Sequence, residues 1–424
     1  MVSGAPVGGA LAGGARAVAR CDALGAPPFS DLPDGLYRGY LTPAYRAAQD
    51  ALAGWMAEAG MDVRRDAAAN LVGRYDGTDP AAPALLIGSH LDSVRDGGRY
   101  DGPLGIMLGV EAVAALHAGG RRLPFALEVI AFGDEEGSRF PAAMLTSRAV
   151  AGTLAPEALE LADGEGAALA DALAEGGRDV ATYLAAARAP GSVFGYLEAH
   201  IEQGPLLEAE GLAVGTVTGI AAQARYQVAV TGVAGQAGTT SMPLRRDAVA
   251  GAAEMVLAVE RIARADASDL VATVGRIAAG PGAANVIAGE ASFTIDIRSG
   301  DAARRDRAAG EILRELDWIA QARGLGCAVE LVHDLPASPC DPELMDLMDA
   351  AIAGAGQPVR RLVSGAGHDA MVMAALCPTA LLFIRCRGGV SHNPAEHVDP
   401  ADAEVALQVM LGFIDRLGVS RRDV

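Results

Sequence analysis

Six histidine and acidic residues lie in short segments where their side chains could act together. Three glycine-rich loops, residues 88–102, 132–138 and 388–396, and a further segment, residues 198–204, contain them. They are His90, Asp92, Glu135, Glu136, His200 and His392. Imidazole and carboxylate groups with no thiolate nearby suit Zn²⁺, Mn²⁺ or Co²⁺. The pattern therefore predicts a site for a divalent metal ion.

Two local patterns indicate how the chemistry would be divided in such a site. In an extended chain the side chains of His90 and Asp92 point to the same side, so Asp92 could orient His90. The adjacent Glu135 and Glu136 cannot both point the same way on an extended segment. One can bind metal while the other holds a water molecule, which is the division that metal-assisted hydrolysis requires.

Each of these patterns also has a structural interpretation when it is taken alone. A His-x-Asp pair is commonly structural, adjacent glutamates commonly cap a strand in solvent, and His392 before Asn-Pro suits a turn. Their joint occurrence in glycine-rich loops after strands favours the functional interpretation. Of the other histidines, His117, His333 and His397 are interpreted as structural, whereas His368, in a glycine-flanked loop, stays open.

The residue types exclude several other kinds of active site. All 34 basic residues are arginine, which excludes a lysine Schiff base, a lysine general base and a Walker-type phosphate loop. The sequence contains no Gly-x-Ser-x-Gly elbow and no His-Glu-x-x-His helix. The Gly-Pro-Gly at residues 280–282 lacks the third glycine and the strand–helix context of a dinucleotide-binding loop.

The elements that must position the loops are typical of an α/β domain. Residues 84–87 and 125–132 are short apolar runs that suit buried strands, with an apolar helix predicted over residues 105–117 between them. Residues 44–60 also have a helical pattern, and residues 379–384 suit a late buried strand. This alternation predicts a mixed, largely parallel sheet flanked by helices. Functional residues of such sheets gather at the carboxyl ends of the strands.

Near Gly211 the pattern changes to that of a smaller α+β unit. The predicted elements are strands at 225–231, 270–277, 291–298 and 327–332, with helices at 246–264 and 302–323. This β-α-β-β-α-β order suits a ferredoxin-like sandwich. We therefore predict a catalytic domain in two segments, residues 1–212 and 333–424, with an inserted domain at residues 213–332.

Composition limits the class of protein. A length of 424 residues suggests two or three domains. A net charge of −19 without a basic cluster argues against binding to nucleic acid or to an anionic membrane. No stretch approaches the roughly 20 apolar residues that span a bilayer, and residues 1–20 lack an apolar run of signal-peptide length. Five scattered cysteines without a Cys-x-x-Cys spacing favour reduced thiols in a cytoplasmic protein.

Several motifs taken together resemble the hydantoinase/carbamoylase family of amidases. They are Gly-Ser-His-Leu-Asp-Ser-Val with Gly-Gly-Arg-Tyr-Asp-Gly, Glu-Glu-Gly-Ser-Arg-Phe, His-Ile-Glu-Gln-Gly-Pro, Ala-Gly-Thr-Thr, Gly-Ala-Gly-His-Asp-Ala and Ser-His-Asn-Pro-Ala-Glu. That family includes allantoate amidohydrolase, ureidoglycolate amidohydrolase and N-carbamoyl-L-amino-acid hydrolase, within the wider group of di-metal aminoacylases and carboxypeptidases. The resemblance extends from about residue 15 to about residue 417. It implies a zinc-aminopeptidase-like catalytic domain with an inserted lid and dimerisation domain.

The resemblance implies two metal ions bridged by Asp101. The remaining ligands would be His90 and His200 in one site, and Glu136 and His392 in the other. Glu135 would be the general base that takes a proton from the bridging water. At the position of His200 the peptidases of the wider group usually present a carboxylate, so this residue favours a ureido C–N bond over a peptide bond.

The resemblance also implies a set of substrate contacts and a homodimer. The family's substrate contacts map onto Gln203, Asn285, Arg298, Gly365, Gly367 and His368. The planar fork of Arg298 suits bidentate capture of a substrate carboxylate. A surface ion pair for Arg298 and a turn amide for Asn285 are the alternatives. In this family the inserted domain forms a dimer in which one residue reaches the partner's active site.

One position departs from the family pattern Gly-x-Ala-x-His-Ala-Gly-Thr. In residues 232–239, Gln236 stands where the family has the histidine thought to polarise the scissile carbonyl. A neutral amide can donate a hydrogen bond to a developing oxyanion but cannot carry positive charge. Loss of one such donor typically costs about 10²–10³ in rate, and a substitution that keeps a donor could cost less. Slower turnover, a shifted substrate and compensation by His368 are the open consequences.

The leading functional hypothesis is a cytoplasmic, dimeric, di-metal amidohydrolase. It would cleave the carbamoyl C–N bond of a small ureido carboxylate, either allantoate or an N-carbamoyl-L-amino acid, with release of ammonia and carbon dioxide. Residues 386–389 look somewhat more like those of allantoate-type members. The alternatives are an aminoacylase or dipeptidase, which His200 disfavours, and a non-catalytic metal-binding homologue, which only Gln236 supports.

Overall fold

The structure is a computed structural model that describes residues 12–421. Residues 1–11 and 422–424, which the predicted domain boundaries include, lie outside the described residues. The chain forms two compact units. The first contains the chain up to Thr218, Cys340–Leu362 and the chain from Gly367 onward, and the second contains Gly219–Pro339 and Val363–Ala366. The lid and dimerisation roles of an inserted domain stay predictions.

The secondary structure alternates between strands and helices along much of the chain. The strands are β1 Asp62–Arg65, β2 Leu71–Tyr75, β3 Ala84–His90, β4 Ala126–Phe132, β5 Val193–Ile201, β6 Val214–Ile220, β7 Ala222–Thr231, β8 Gly235–Gln236, β9 Val271–Thr273, β10 Ile277–Gly280, β11 Val286–Ile287, β12 Glu290–Ser299, β13 Gly326–Leu335, β14 Ser338–Pro339, β15 Arg361–Ser364 and β16 Thr379–Ile384. The α-helices are α1 Gly13–Leu24, α2 Pro43–Glu58, α3 Pro103–Ala118, α4 Leu145–Ala151, α5 Leu169–Glu175, α6 Leu206–Glu210, α7 Ala248–Ala265, α8 Ala302–Arg323, α9 Pro342–Gly354, α10 Asp369–Met373 and α11 Pro400–Ser420.

The first unit contains a mixed sheet, as the sequence predicted. Its strands are hydrogen-bonded in the order β1-β2-β4-β3-β5-β16-β6. The four central strands β4, β3, β5 and β16 are parallel, whereas β1, β2 and β6 pair antiparallel to their neighbours. Because the central strands run the same way, their carboxyl ends meet at one edge of the sheet. The loops that follow β3, β4 and β16 therefore begin beside one another.

Apolar burial explains why these segments are strands and why a helix packs on them. Every residue of β3 and β4 is buried, which is typical of parallel strands covered on both faces. Helix α3, predicted from its apolar run, is buried along most of its length and packs on β3, β4 and β5. Gly105 brings α3 very close to β5, since a β-carbon there would lie 2.0 Å from the carbonyl oxygen of Ala199.

The second unit is an antiparallel sheet with two helices. The strand order is β10-β12-β7-β13, and β9 also pairs with β12. Helices α7 and α8 share an apolar core with these strands, and the core includes the fully buried Phe293, Ile295 and Ile297. If β9 and β10 are counted as one interrupted strand and the two-residue strands β8 and β11 are left aside, the chain order is the β-α-β-β-α-β of a ferredoxin-like unit.

One predicted strand of this unit is wrong in detail. Residues 270–277 were expected to form a single strand, but β9 and β10 are separate. Both pair with β12, with Thr273 opposite Asp296 and Ile277 opposite Phe293. The stretch between these pairs contains one residue more than the facing stretch of β12, as in a β-bulge. The extra residue interrupts the ladder, which hydrophobic alternation alone does not reveal.

Two sequence-based expectations concern the chain as a whole. No helix among residues 12–421 is both long and apolar enough to cross a membrane. All five cysteines are free thiols; Cys327 is half-buried and the other four are buried.

Candidate metal centre

Two histidines and one aspartate meet at the carboxyl edge of the parallel strands. His90 ends β3, His200 lies near the end of β5, and Asp101 lies in the turn before α3. The Oδ1 atom of Asp101 lies 3.7 Å from Nε2 of His90 and 3.1 Å from Nε2 of His200. All three residues are buried. The structure thus brings together three of the residues that the sequence proposed as metal ligands.

Main-chain carbonyl groups set the orientation of both imidazoles. Nδ1 of His90 lies 3.1 Å from the carbonyl oxygen of Asp92, and Nδ1 of His200 lies 2.9 Å from that of Ile201. A carbonyl oxygen only accepts, so each Nδ1 carries a proton, and in the neutral imidazole the lone pair is then on Nε2. This tautomer is the one that a metal-binding histidine needs when it binds through Nε2.

A second group of side chains adjoins the first through the same aspartate. Nε2 of His392 lies 3.1 Å from Oδ2 of Asp101 and 3.3 Å from Oε1 of Glu136. Burial would raise the pKa of Asp101, but the imidazoles of His200, His392 and His90 hold it well below its ordinary value. Asp101 is therefore an ionised carboxylate with one oxygen directed toward each group.

The donor atoms fit a divalent cation. In each of the groups His90–Asp101–His200 and Asp101–Glu136–His392, the candidate ligand atoms lie within 4.8 Å of one another. The Nε2 atom of His200 is buried and makes no hydrogen bond to any described residue. A buried polar atom without a hydrogen-bond partner is costly, and a cation between Nε2 of His200 and the carboxylate of Asp101 would satisfy both groups. Imidazole and carboxylate donors suit Zn²⁺, Mn²⁺ or Co²⁺.

Asp92 fixes the backbone that carries the two glutamates. Its carboxylate accepts hydrogen bonds from the N–H groups of Glu135 at 3.2 Å and Glu136 at 3.4 Å. The Oδ1 atom of Asp92 lies 3.8 Å from Nδ1 of His90, whereas the carbonyl oxygen of Asp92 lies 3.1 Å from the same nitrogen. Asp92 thus orients His90 mainly through its main chain, while its carboxylate positions the neighbouring loop.

The two adjacent glutamates lie in different surroundings. Glu136 is half-buried beside His392, and burial raises its pKa to about 6. Glu135 is buried, and its pKa is raised well above the ordinary value by that burial and by the nearby carboxylates of Asp369 and Glu136. A raised pKa makes the ionised carboxylate a stronger proton acceptor. This is a property that a general base requires.

A hydrogen-bond network beneath Asp101 includes residues to which the sequence assigned no role. Glu396 accepts hydrogen bonds from the N–H groups of Tyr100 at 2.8 Å and Asp101 at 3.0 Å, and Ser391 Oγ lies 3.1 Å from its other oxygen. Gln203, a predicted substrate contact, donates to Asp101 Oδ2 at 3.0 Å. The Ser-His-Asn-Pro-Ala-Glu motif contained both Ser391 and Glu396, but their partners lie about 290 residues earlier in the chain.

His368 lies against the first group from the other side. Its ring centroid lies 4.4 Å from that of His200, and both side chains are buried. Burial and the neighbouring His200 hold the pKa of His368 well below its ordinary value, so its imidazole is neutral. Glu198, which accepts a hydrogen bond from the N–H of Ala370 at 2.9 Å, completes a third cluster with these two histidines.

The second unit contains the predicted site residues Gln236, Asn285, Arg298 and Gly365, whereas Gly367 belongs to the first unit. Gln236 and Asn285 are both exposed and lie on the paired segment formed by β8 and the residues before β11. Arg298 is half-buried on β12, and its Nη1 donates to the carbonyl oxygen of Gly365 at 2.5 Å. The structure thus joins Arg298 to Gly365, which the sequence proposed as a further substrate contact.

Comparisons with known proteins identify the family of this chain. A protein-family model described as "Peptidase family M20/M25/M40" matches residues 86–416. The chain is 42% identical, over 89% of its length and 92% of the other protein, to an N-carbamoyl-L-amino acid amidohydrolase of Geobacillus stearothermophilus. It is 39% identical, over 95% of its length and 89% of the other, to allantoate deiminase 1 of Glycine max.

A solved structure shows the same fold over almost the whole chain. It is described as a hydantoinase/carbamoylase family amidase from Burkholderia ambifaria, with 40% identity and a TM-score of 0.87. The alignment covers 95% of this chain and 96% of the other. With the family match and the curated relatives, this places the chain among the hydrolases. The chain belongs to the hydantoinase/carbamoylase amidases of peptidase family M20/M25/M40.

Proposed function

We propose that this protein is a metal-dependent amidohydrolase that cleaves the carbamoyl C–N bond of a small ureido carboxylate. The substrate would be allantoate or an N-carbamoyl-L-amino acid, the compounds named for its relatives from Glycine max and Geobacillus stearothermophilus. The observation that carries the proposal is the pair of ligand groups that share Asp101, with the buried Glu135 beside them.

Two divalent ions would be held by His90 and His200 on one side of Asp101, and by Glu136 and His392 on the other. When bound, such ions supply Lewis-acid polarisation and a water of lowered pKa. Glu135 would take the proton from that water and pass it to the leaving nitrogen. The products would be ammonia, carbon dioxide and the amine.

Residues of the second unit would bind the substrate. Arg298 would hold the carboxylate, and Asn285 would contribute a neutral amide. Gln236 would donate a hydrogen bond to the oxyanion that develops at the scissile carbonyl. Its Oε1 accepts hydrogen bonds from the N–H groups of Gly238 and Thr239, so its NH₂ group is the end that stays available.

We also propose that the protein is a cytoplasmic homodimer formed through the second unit. Strand β13 is at the edge of its sheet, and Val329, Leu331 and Val332 on it are exposed. An exposed apolar edge strand is a typical site for pairing with another chain. Sedimentation of the purified protein tests the homodimer, and a monomer at micromolar concentration would contradict it.

The central test, with purified, Mn²⁺-loaded protein, measures ammonia release from ureido compounds and acetate release from N-acetyl compounds. The panel should contain allantoate, several N-carbamoyl-L-amino acids and the matching N-acetyl-L-amino acids. We expect turnover of ureido compounds and little turnover of acetyl compounds. Preferred hydrolysis of the acetyl series would support an aminoacylase instead, and no turnover of either series by metal-loaded protein would contradict the proposal.

A further inference from the structure

A compact polar group lies on one face of the sheet in the second unit. In the antiparallel pair β7–β12, Arg225 is opposite Asp296 and Gln223 is opposite Arg298. Directly opposed residues share a face of the sheet, and neighbours along a strand point to opposite faces. Because Ile295 and its counterparts point into the core with α7 and α8, these four polar residues are on the other face.

Asp296 is the centre of this group. Its Oδ1 accepts a hydrogen bond from Nε of Arg298 at 2.8 Å, and its Oδ2 accepts one from Nη2 of the same arginine at 3.0 Å. Oδ2 also accepts from Nε of Arg225 at 2.7 Å and from Nε2 of Gln223 at 3.0 Å. Burial would raise the pKa of Asp296, but the hydrogen bonds from Arg298 and Arg225 lower it, so this carboxylate is ionised.

The contacts fix which part of Arg298 can meet a ligand. A guanidinium group has five N–H donors. Three of those on Arg298 are used, two by Asp296 and one by the carbonyl oxygen of Gly365. One N–H on each terminal nitrogen is left. A bidentate carboxylate ligand requires two such donors held in one plane.

The group also has a defined charge. Arg225 and Arg298 contribute two positive charges and Asp296 one negative charge, so the three residues together carry one positive charge. That balance suits a ligand with a single carboxylate better than one with two, since a second negative charge would face Asp296 without a partner.

We propose that Asp296 is a positioning residue, which holds the guanidinium group of Arg298 so that its two remaining N–H donors receive the carboxylate of a monoanionic ureido substrate. The inference rests on the proposed function, since it takes Arg298 as the residue that binds this carboxylate. Arg225 and Gln223 keep Asp296 in place through its Oδ2 atom.

The substitution Asp296→Asn separates positioning from simple charge, because the two effects have opposite signs. The variant removes a negative charge near an anion site, so charge alone predicts tighter substrate binding and a lower KM. The NH₂ group of the substituted side chain would also face an N–H donor of Arg298, so the guanidinium group would no longer be held in place. If Asp296 positions Arg298, KM for a ureido carboxylate rises about tenfold or more while kcat changes by less than about threefold.

The experiment measures kcat and KM for N-carbamoyl-L-alanine and for its carboxamide, which lacks the charge. We expect D296N, and more strongly D296A, to raise KM for the acid and leave that for the carboxamide within about twofold. D334N is the matched control. Asp334 is an exposed aspartate on β13 of the same unit and pairs with Arg305 at 2.5 Å, so its loss should leave both values unchanged.

A lower or unchanged KM for the acid in D296N would overturn the inference, as would equal losses with the acid and the carboxamide. The proposed function is judged separately, by turnover of the wild-type protein. Calorimetric binding of N-carbamoyl-L-alanine does not require turnover, so it tests Asp296 even in an inactive protein. Weaker binding by D296N than by the wild type supports the inference. Equal binding by the two proteins overturns it, and so does the absence of binding by the wild type.

Discussion

Removal of the Glu396 side chain should both loosen the metal centre and destabilise the first unit. This carboxylate is buried, and one of its oxygens accepts the N–H groups of Tyr100 and Asp101 at 2.8 and 3.0 Å. It follows His392 by four residues, so it ties together the two loops that carry Asp101 and His392. We expect the Glu396→Ala variant to lose this connection.

The magnitude follows from the groups that lose their partner. Tyr100 and Asp101 are both buried, so neither N–H can exchange Glu396 for bulk water without a rearrangement of the loop. A buried donor left without a partner costs about 1–3 kcal/mol. Two such donors give an expected loss of about 2–6 kcal/mol in the free energy of unfolding.

Glu396→Gln is the matched control. The amide keeps a carbonyl oxygen that can accept both N–H groups, and its NH₂ can donate to Ser391 Oγ. We expect this variant to lose less than about 1 kcal/mol. Urea denaturation of chelator-treated protein measures stability without metal, and calorimetric titration with Mn²⁺ then measures affinity. Equal effects of the two substitutions on both quantities would refute the argument, because the acceptor oxygen would then be irrelevant.

Three further predictions follow from the described contacts. Glu135→Gln should lower kcat by about 10²–10⁴ while the bound metal, measured by elemental analysis, stays the same; full retained activity would exclude Glu135 as the base. In chelator-treated protein, stability should fall as pH rises from about 4 to about 9 in urea denaturation. Burial raises the pKa of Glu136 to about 6, so the folded state binds an extra proton that is lost above that pH. The hydrogen bond to Asp101 raises the pKa of His392 to about 9, which changes stability in the same direction. Stability that rises with pH would contradict this prediction. Gly105→Ala should destabilise the protein by about 1–3 kcal/mol, because the new β-carbon would meet the backbone of β5, whereas Gly54→Ala, with open space in α2, should stabilise it by about 0.5–1 kcal/mol.

The parts of the site that follow from strand ends could be predicted from the sequence. His90 and Glu135 follow buried apolar runs, and parallel strands place their carboxyl ends at one edge. Histidine and acidic residues that follow such strands in distant segments were therefore expected to lie near one another. The proposed roles of individual residues came from the resemblance to a family, and they stay predictions until they are tested.

Other features depend on contacts that local pattern cannot reveal. The hydrogen bonds from Tyr100 and Asp101 to Glu396 join residues almost 300 positions apart, so nothing in either segment indicates its partner. The carboxylate of Asp92 was expected to orient His90, yet it mainly accepts the N–H groups of the Glu135–Glu136 loop. In both cases packing determined which nearby N–H groups the carboxylate accepts.

The structure also narrows the question raised by Gln236, which stands where the family has a histidine. Backbone N–H groups of its own turn can meet only the oxygen of the amide, so the NH₂ end is the one free to donate. His368 could replace a missing histidine as a donor, but its pKa is held well below the ordinary value by burial and by His200, so it is neutral. A cation bound by His200 would lower that pKa further. Neither residue can therefore supply positive charge at the scissile carbonyl. If this protein hydrolyses ureido compounds, Gln236 and His368 can polarise the carbonyl only as neutral hydrogen-bond donors.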